Sequence, residues 1–76
     1  MNIDTLIKKI QEELDDLDLT HLGPDSIFLE IEGWSSLYGL ILMALVSTEY
    51  NVELSGQQIQ SIRTVRDLNN EIQKNT

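Results

Sequence analysis

The sequence predicts an all-α four-helix bundle, with three longer helices, a short third one and a long loop between the first and second. Three observations carry that prediction. Apolar residues recur at helical spacing in separate stretches. No alternating run of four or more residues stands clear of those stretches, so no strand is expected. The cluster Gly23-Pro24-Asp25-Ser26 forbids a single continuous helix through the first half of the chain.

The first helix spans Ile3 to Leu14. Ile3, Leu6, Ile7, Ile10 and Leu14 form its apolar face, opposite Lys8, Lys9, Gln11, Glu12 and Glu13. Asp4 and Thr5 suit its first turn, and the periodicity fails at Asp15-Asp16. Asp18 to Trp34 follows as a long ordered loop, anchored by Leu19, Leu22, Ile27, Phe28, Leu29 and Ile31.

The second helix spans Ser35 to Tyr50, with the Ser35 hydroxyl placed to cap a first-turn N–H. Leu37, Leu40, Ile41, Ala44 and Leu45 make one stripe suited to a core. Tyr38, Leu42, Met43 and Val46 widen it past what one core face requires, so part of that excess is expected to be exposed or to bind something. Asn51 to Leu54 is a connector with two apolar anchors. A short third helix capped by Ser55 runs to Ile62, and Thr64 caps the last helix, with Val65, Leu68 and Ile72 on one face and Asp67 completing a near capping box. The tail Lys74-Asn75-Thr76 is expected to fray.

A chain of 76 residues with 41% hydrophobic content supports one domain, residues 1–76, with no linker, repeat or low-complexity segment. There is no cysteine, and His21 is the only histidine, which removes disulfides and the usual zinc donors. The acidic cluster Asp15-Asp16-Asp18 fails the EF-hand spacing, since His21 and Ile27 stand where Gly and Glu are needed. His21 reads as a loop residue, because no nucleophile is tied to it.

The net charge of −8 repels nucleic acid and anionic lipid, and steers in partners with basic docking surfaces. The run Leu37 to Val46 is about half of what crosses a bilayer, so no membrane span is expected. With no basic and apolar leader after Met1, the expected location is cytoplasmic.

The chain resembles the acyl carrier protein family over nearly its whole length, from Ile3 to Ile72, most strongly in three places, with a further match in the loop before the second helix. Trp34-Ser35-Ser36-Leu37 looks like its Asp-Ser-Leu motif with Ser35 in the Asp position. Glu49 to Leu54 resembles the aromatic-x-hydrophobic-x-hydrophobic segment after the second helix. Arg63-Thr64-Val65-Arg66-Asp67-Leu68 looks like the Thr-Val-x-Asp-Leu signature of the last helix, and Phe28 through Trp34 matches the hydrophobic approach to the modified serine. The resemblance implies a bundle of acyl-carrier type, monomeric and not itself an enzyme. It also implies that Ser36 carries a covalent 4′-phosphopantetheine attached from coenzyme A by a phosphopantetheinyl transferase. The arm's thiol would hold acyl or aminoacyl groups for loading and downstream enzymes of fatty acid, polyketide or nonribosomal peptide biosynthesis.

A phosphodiester at a helix N-terminus meets free N–H groups and the positive end of the dipole, worth about 0.3–1 kcal/mol. Ser36 to Val46 holds no acidic residue, unlike fatty-acid carriers, so the expected docking face is apolar, built of Trp34, Leu37, Tyr38, Leu42 and Met43, and a dedicated pathway is expected. The plainer readings stand beside these. Ser36 can be an ordinary helix-start serine, and Trp34 a staple against the helix it precedes. Tyr50 is expected in the core with its hydroxyl reaching solvent. A carrier-like module that binds partners unmodified is the alternative function.

Overall fold

The computed structural model describes residues 2–75, which form four α-helices and no β-strand: α1 (Ile3–Glu13), α2 (Ser36–Tyr50), α3 (Gly56–Ser61) and α4 (Val65–Lys74). The radius of gyration is 11.1 Å, against about 11 Å expected for a compact chain of this length. Helix α1 packs against α4 and α2. The buried side chains form one cluster, with Leu6, Ile10 and Leu14 from the first helical stretch, Leu42, Leu45 and Val46 from α2, and Val65, Leu68 and Ile72 from α4.

Helix ends follow local chemistry. Asn2 caps α1 by accepting from the Asp4 N–H at 2.9 Å. Ser55 and Gln58 form a full capping box on α3, and Thr64 and Asp67 form one on α4. Asn51, in the left-handed region at φ 56°, closes α2, with its N–H donating to the Ser47 carbonyl at 3.1 Å. The connector residues Val52 and Leu54 are buried as expected. Helix α4 continues through Lys74, with Asn75 at its C-cap; Thr76 lies outside the described residues.

Three expectations need correction. The loop from Asp18 to Trp34 contains a 3₁₀ turn, Phe28–Glu30, which sinks Phe28 into the core and leaves Leu29 exposed. The loop is tied to the start of α4 by an isolated antiparallel bridge, Ile27 to Thr64. The Phe28 N–H donates to the Arg63 carbonyl, and the Arg66 N–H donates to that of Pro24.

The buried face of α2 is not the expected stripe. Leu42, Leu45 and Val46 are inside, while Leu37, Leu40 and Ala44 are exposed. The physical reason is that α2 is apolar on every side, so periodicity alone selects no face and packing decides. Leu42, assigned to the docking face, is therefore a core residue at 2% exposure.

The third correction concerns Tyr50. It is half-buried beside the core, but its hydroxyl does not reach solvent: it is buried and finds no hydrogen-bond partner among the described residues.

Candidate functional site

The approach to α2 is fixed by a sharp backbone reversal and an aromatic stack. Gly33 adopts φ 85°, a left-handed conformation that side chains rarely allow, and a Cβ there would stand 3.3 Å from Leu17 Cδ2. The Trp34 N–H donates to the Ile31 carbonyl at 3.0 Å. The Trp34 ring lies between Phe28 and Tyr38, with centroids 5.3 Å from each. Trp34 thus staples the loop to the first turn of α2, as expected for an aromatic residue just before a helix.

Ser36 is the first residue of α2 and is exposed. Ser35 occupies the N-cap position in extended conformation, but its exposed hydroxyl makes no cap hydrogen bond, contrary to expectation. The start of the helix is held instead by the Trp34 stack and by the Tyr38 N–H donating to the Ser35 carbonyl at 3.0 Å. The first turn of α2 contains no carboxylate. The Ser35 carbonyl takes the Tyr38 N–H, but no Ser35 side-chain bond and no acid of the turn meets the other first-turn N–H groups or the helix dipole.

Beside Ser36 runs a groove of ≈ 400 Å³ between α2, α3 and the 28–34 loop. Buried Phe28 and Leu42 form its floor; exposed Ser36, Leu29 (82%) and Leu40 (62%) form its rim. Met43 and Gly39 line it from α2, and Ile59 and Gln60 from α3. Among the described residues, no ionisable side chain lines it. The volume falls within the range of about 300–1,000 Å³ typical of small-ligand sites.

Of the residues assigned to partner docking, Trp34, Leu42 and Met43 line this groove together with Ser36. Leu37 is 57% exposed and lies outside the groove. Tyr38 is half-buried, and its hydroxyl donates to Asp16 Oδ2 at 2.7 Å. That bond, with lesser help from burial, holds the Tyr38 hydroxyl above the usual tyrosine range.

Sequence reasoning missed Gly39, Leu29 and Ile59 as site residues. Gly39 left a signal, since a glycine inside a helix costs about 0.5–1 kcal/mol against alanine and calls for a packing reason. Here α3 comes close, but a Cβ on Gly39 would meet Ile59 Cγ2 at 3.7 Å, an ordinary van der Waals contact, so its approach does not require glycine. In the acidic stretch, as elsewhere among the described residues, no group of three or more His, Cys, Asp or Glu side chains converges. The Asp18 carboxylate instead accepts from the Thr20 hydroxyl at 2.7 Å and the Thr20 N–H at 3.2 Å, which lowers its pKa. His21 sits exposed in the loop. No described helix is long and apolar enough to cross a membrane.

No protein-family model matches the chain, and no curated protein matches it.

Proposed function

We propose that the chain is an acyl-carrier-type protein in which Ser36 bears a 4′-phosphopantetheine arm, through which acyl or aminoacyl intermediates are presented to partner enzymes of a dedicated biosynthetic pathway. The supporting observation is a single adjacency. The exposed Ser36 begins a helix whose first turn is uncapped by the Ser35 side chain and free of carboxylates, and the same serine borders an apolar groove.

The residues present fit the group. In attachment, the Ser36 hydroxyl oxygen bonds to phosphorus of coenzyme A, the nucleotide half departs with the oxygen of the broken P–O bond, and the serine proton passes to a base of the phosphopantetheinyl transferase. The first-turn N–H groups and dipole of α2 would stabilise a phosphodiester anion at Ser36 by about 0.3–1 kcal/mol. When bound, the arm supplies the terminal thiol that holds a thioester, chemistry that a chain without cysteine cannot supply itself. The Trp34 stack keeps the helix start fixed relative to the groove. Loading and downstream enzymes meet the exposed apolar residues Leu37 and Leu40, and their approach is steered by the net charge of −8. In this role the protein is a cytoplasmic monomer without turnover of its own.

Incubation with coenzyme A and a broad-specificity phosphopantetheinyl transferase, read by intact-mass spectrometry, tests this reading. One phosphopantetheine is gained by the natural chain and none by Ser36→Ala. No gain, or a gain that survives Ser36→Ala, would refute the assignment.

A second reading is an unmodified interaction module docking through α2, which the exposure of Leu37 (57%) and Leu40 (62%) favours. It predicts that Ser36→Ala retains every partner of the natural chain in a pull-down, whereas Leu37→Asp loses them.

A further inference from the structure

We propose that the turn at Asp16 and Leu17 clamps the segment carrying Ser36 at both ends, and that Tyr38, through its bond to Asp16, is a positioning residue for transfer of the arm to that serine. The proposal rests on the carrier reading for the reaction it serves, but the clamp stands on contacts of its own.

Between Trp34 and Tyr38 the chain has little to hold it. Ser35, Ser36 and Leu37 are exposed, and the Ser35 side chain makes no cap bond. Such a helix start opens easily, because its first N–H groups lack intrahelical partners. Tyr38 ties it down. Its hydroxyl donates to Asp16 Oδ2 at 2.7 Å, 22 residues back along the chain, and its ring centroid lies 5.3 Å from that of Trp34. With its hydroxyl engaged and its side chain half-buried, Tyr38 belongs to the fold more than to a docking partner.

The other end of the bond is firm. Asp16 sits between the buried Leu14 and Leu17, which packs against the core and donates its N–H to the Leu14 carbonyl at 3.1 Å. Leu17 also lies against Gly33, since a Cβ on that glycine would stand 3.3 Å from Leu17 Cδ2. Two adjacent residues thus meet the chain at Gly33 and again at Tyr38, on either side of Ser36. In the transfer, the Ser36 oxygen bonds to phosphorus as the bond to the departing nucleotide half breaks, and the serine proton passes to a base of the transferase. The attacking and leaving oxygens must lie roughly in line. A misplacement of about 1 Å can cost about a hundredfold in rate. A loosened clamp therefore slows transfer without weakening the encounter between the two proteins.

The test removes the bond from either side. Tyr38→Phe keeps the ring and loses the hydroxyl, and Asp16→Ala loses the acceptor. With coenzyme A and a broad-specificity phosphopantetheinyl transferase, each should lower kcat about tenfold while KM for the chain stays within about twofold. The double variant should lose no more than either single one, because both remove the same interaction. Asp16→Asn, which keeps an acceptor oxygen, should recover most of the rate. Thr64→Ala, which loses the cap on α4, should destabilise the chain and leave kcat unchanged, so that lost stability alone does not produce the effect. Hydrogen exchange on the unmodified chain reads the clamp without the transferase: Tyr38→Phe should speed exchange at the Gly39 and Leu40 amides about tenfold and leave that of Leu68 unmoved. An unchanged kcat in Tyr38→Phe, additive losses in the double variant, no recovery in Asp16→Asn, an equal fall of kcat in Thr64→Ala, or unchanged exchange at Gly39 and Leu40 overturns the proposal. A natural chain that accepts no arm at Ser36 refutes the carrier reading, and the exchange result then decides the clamp. An arm on Ser36 that is gained as fast by Tyr38→Phe leaves the carrier reading intact and removes only the positioning role.

Discussion

The Tyr38 hydroxyl donates a 2.7 Å hydrogen bond to Asp16 Oδ2, joining the first turn of α2 to the segment that follows α1. The same tyrosine ring stacks on Trp34. One side chain therefore ties the start of α2 both to the loop that delivers it and to the end of the preceding helical stretch.

The bond has a pH signature. Tyr38 is raised above the usual tyrosine value of about 10, first by the hydrogen bond to Asp16 and then by burial. Tyr50 is also raised, chiefly by burial. A raised folded-state pKa contributes stability that is fully present below the unfolded value and is lost as pH rises through the folded one. Stability should therefore fall as pH climbs above about 10. Tyrosinate absorbance should show both tyrosines titrating above the ordinary value, and Asp16→Asn should bring Tyr38 back toward it.

The helix caps should separate by their hydrogen bonds. Ser55 Oγ accepts from the Gln58 N–H at 3.1 Å, and Thr64 Oγ1 accepts from the Asp67 N–H at 3.1 Å, whereas Ser35 makes no such bond. Ser55→Ala and Thr64→Ala should each cost about 0.5–2 kcal/mol. Ser35→Ala should cost clearly less, and Ser35→Asp should stabilise the chain by supplying a carboxylate to the start of α2. Urea unfolding of the four variants checks the order.

Tyr50 offers a stabilising change. Its buried hydroxyl has no hydrogen-bond partner among the described residues, so it bears a desolvation cost with nothing to offset it. Tyr50→Phe keeps the ring and removes that cost. It should raise stability by up to about 1 kcal/mol, or several degrees in melting temperature for a domain of this size, measured by thermal denaturation.

The leucines should divide by exposure. Leu68 is completely buried, and Leu68→Ala should cost about 2–5 kcal/mol, comparable to the whole stability of a chain this small. Leu29 is 82% exposed, and Leu29→Ala should stay within about 0.5 kcal/mol of the natural chain. Circular dichroism at rising urea compares the two.

Local chemistry made much of this fold readable in the sequence. Ser55 with Gln58 and Thr64 with Asp67 lie three residues apart, so their caps are written in adjacent positions. Amphipathic α1 and α4 each bury the face that their apolar spacing marks, including Leu6 and Ile10 on one and Leu68 and Ile72 on the other. Helix α2 could not be oriented the same way, because an apolar residue on every side leaves the choice between Leu42 and Leu40 to tertiary packing. At the candidate site, the helix-start position of Ser36 was legible. The meeting of Gly39 with Ile59 was not, because it depends on how α3 lies against α2. The 3₁₀ turn that buries Phe28 against Trp34 was hidden for the same reason, being fixed by bonds to the Arg63 carbonyl and from the Val65 N–H, far along the chain.

The most direct test of the central claim is the intact mass of the protein isolated from its own host, with fragmentation to locate any added group. The account predicts a 4′-phosphopantetheine on Ser36, in part of the population extended by an acyl group. A chain of unmodified mass throughout, or an added group located on any other residue, would contradict it.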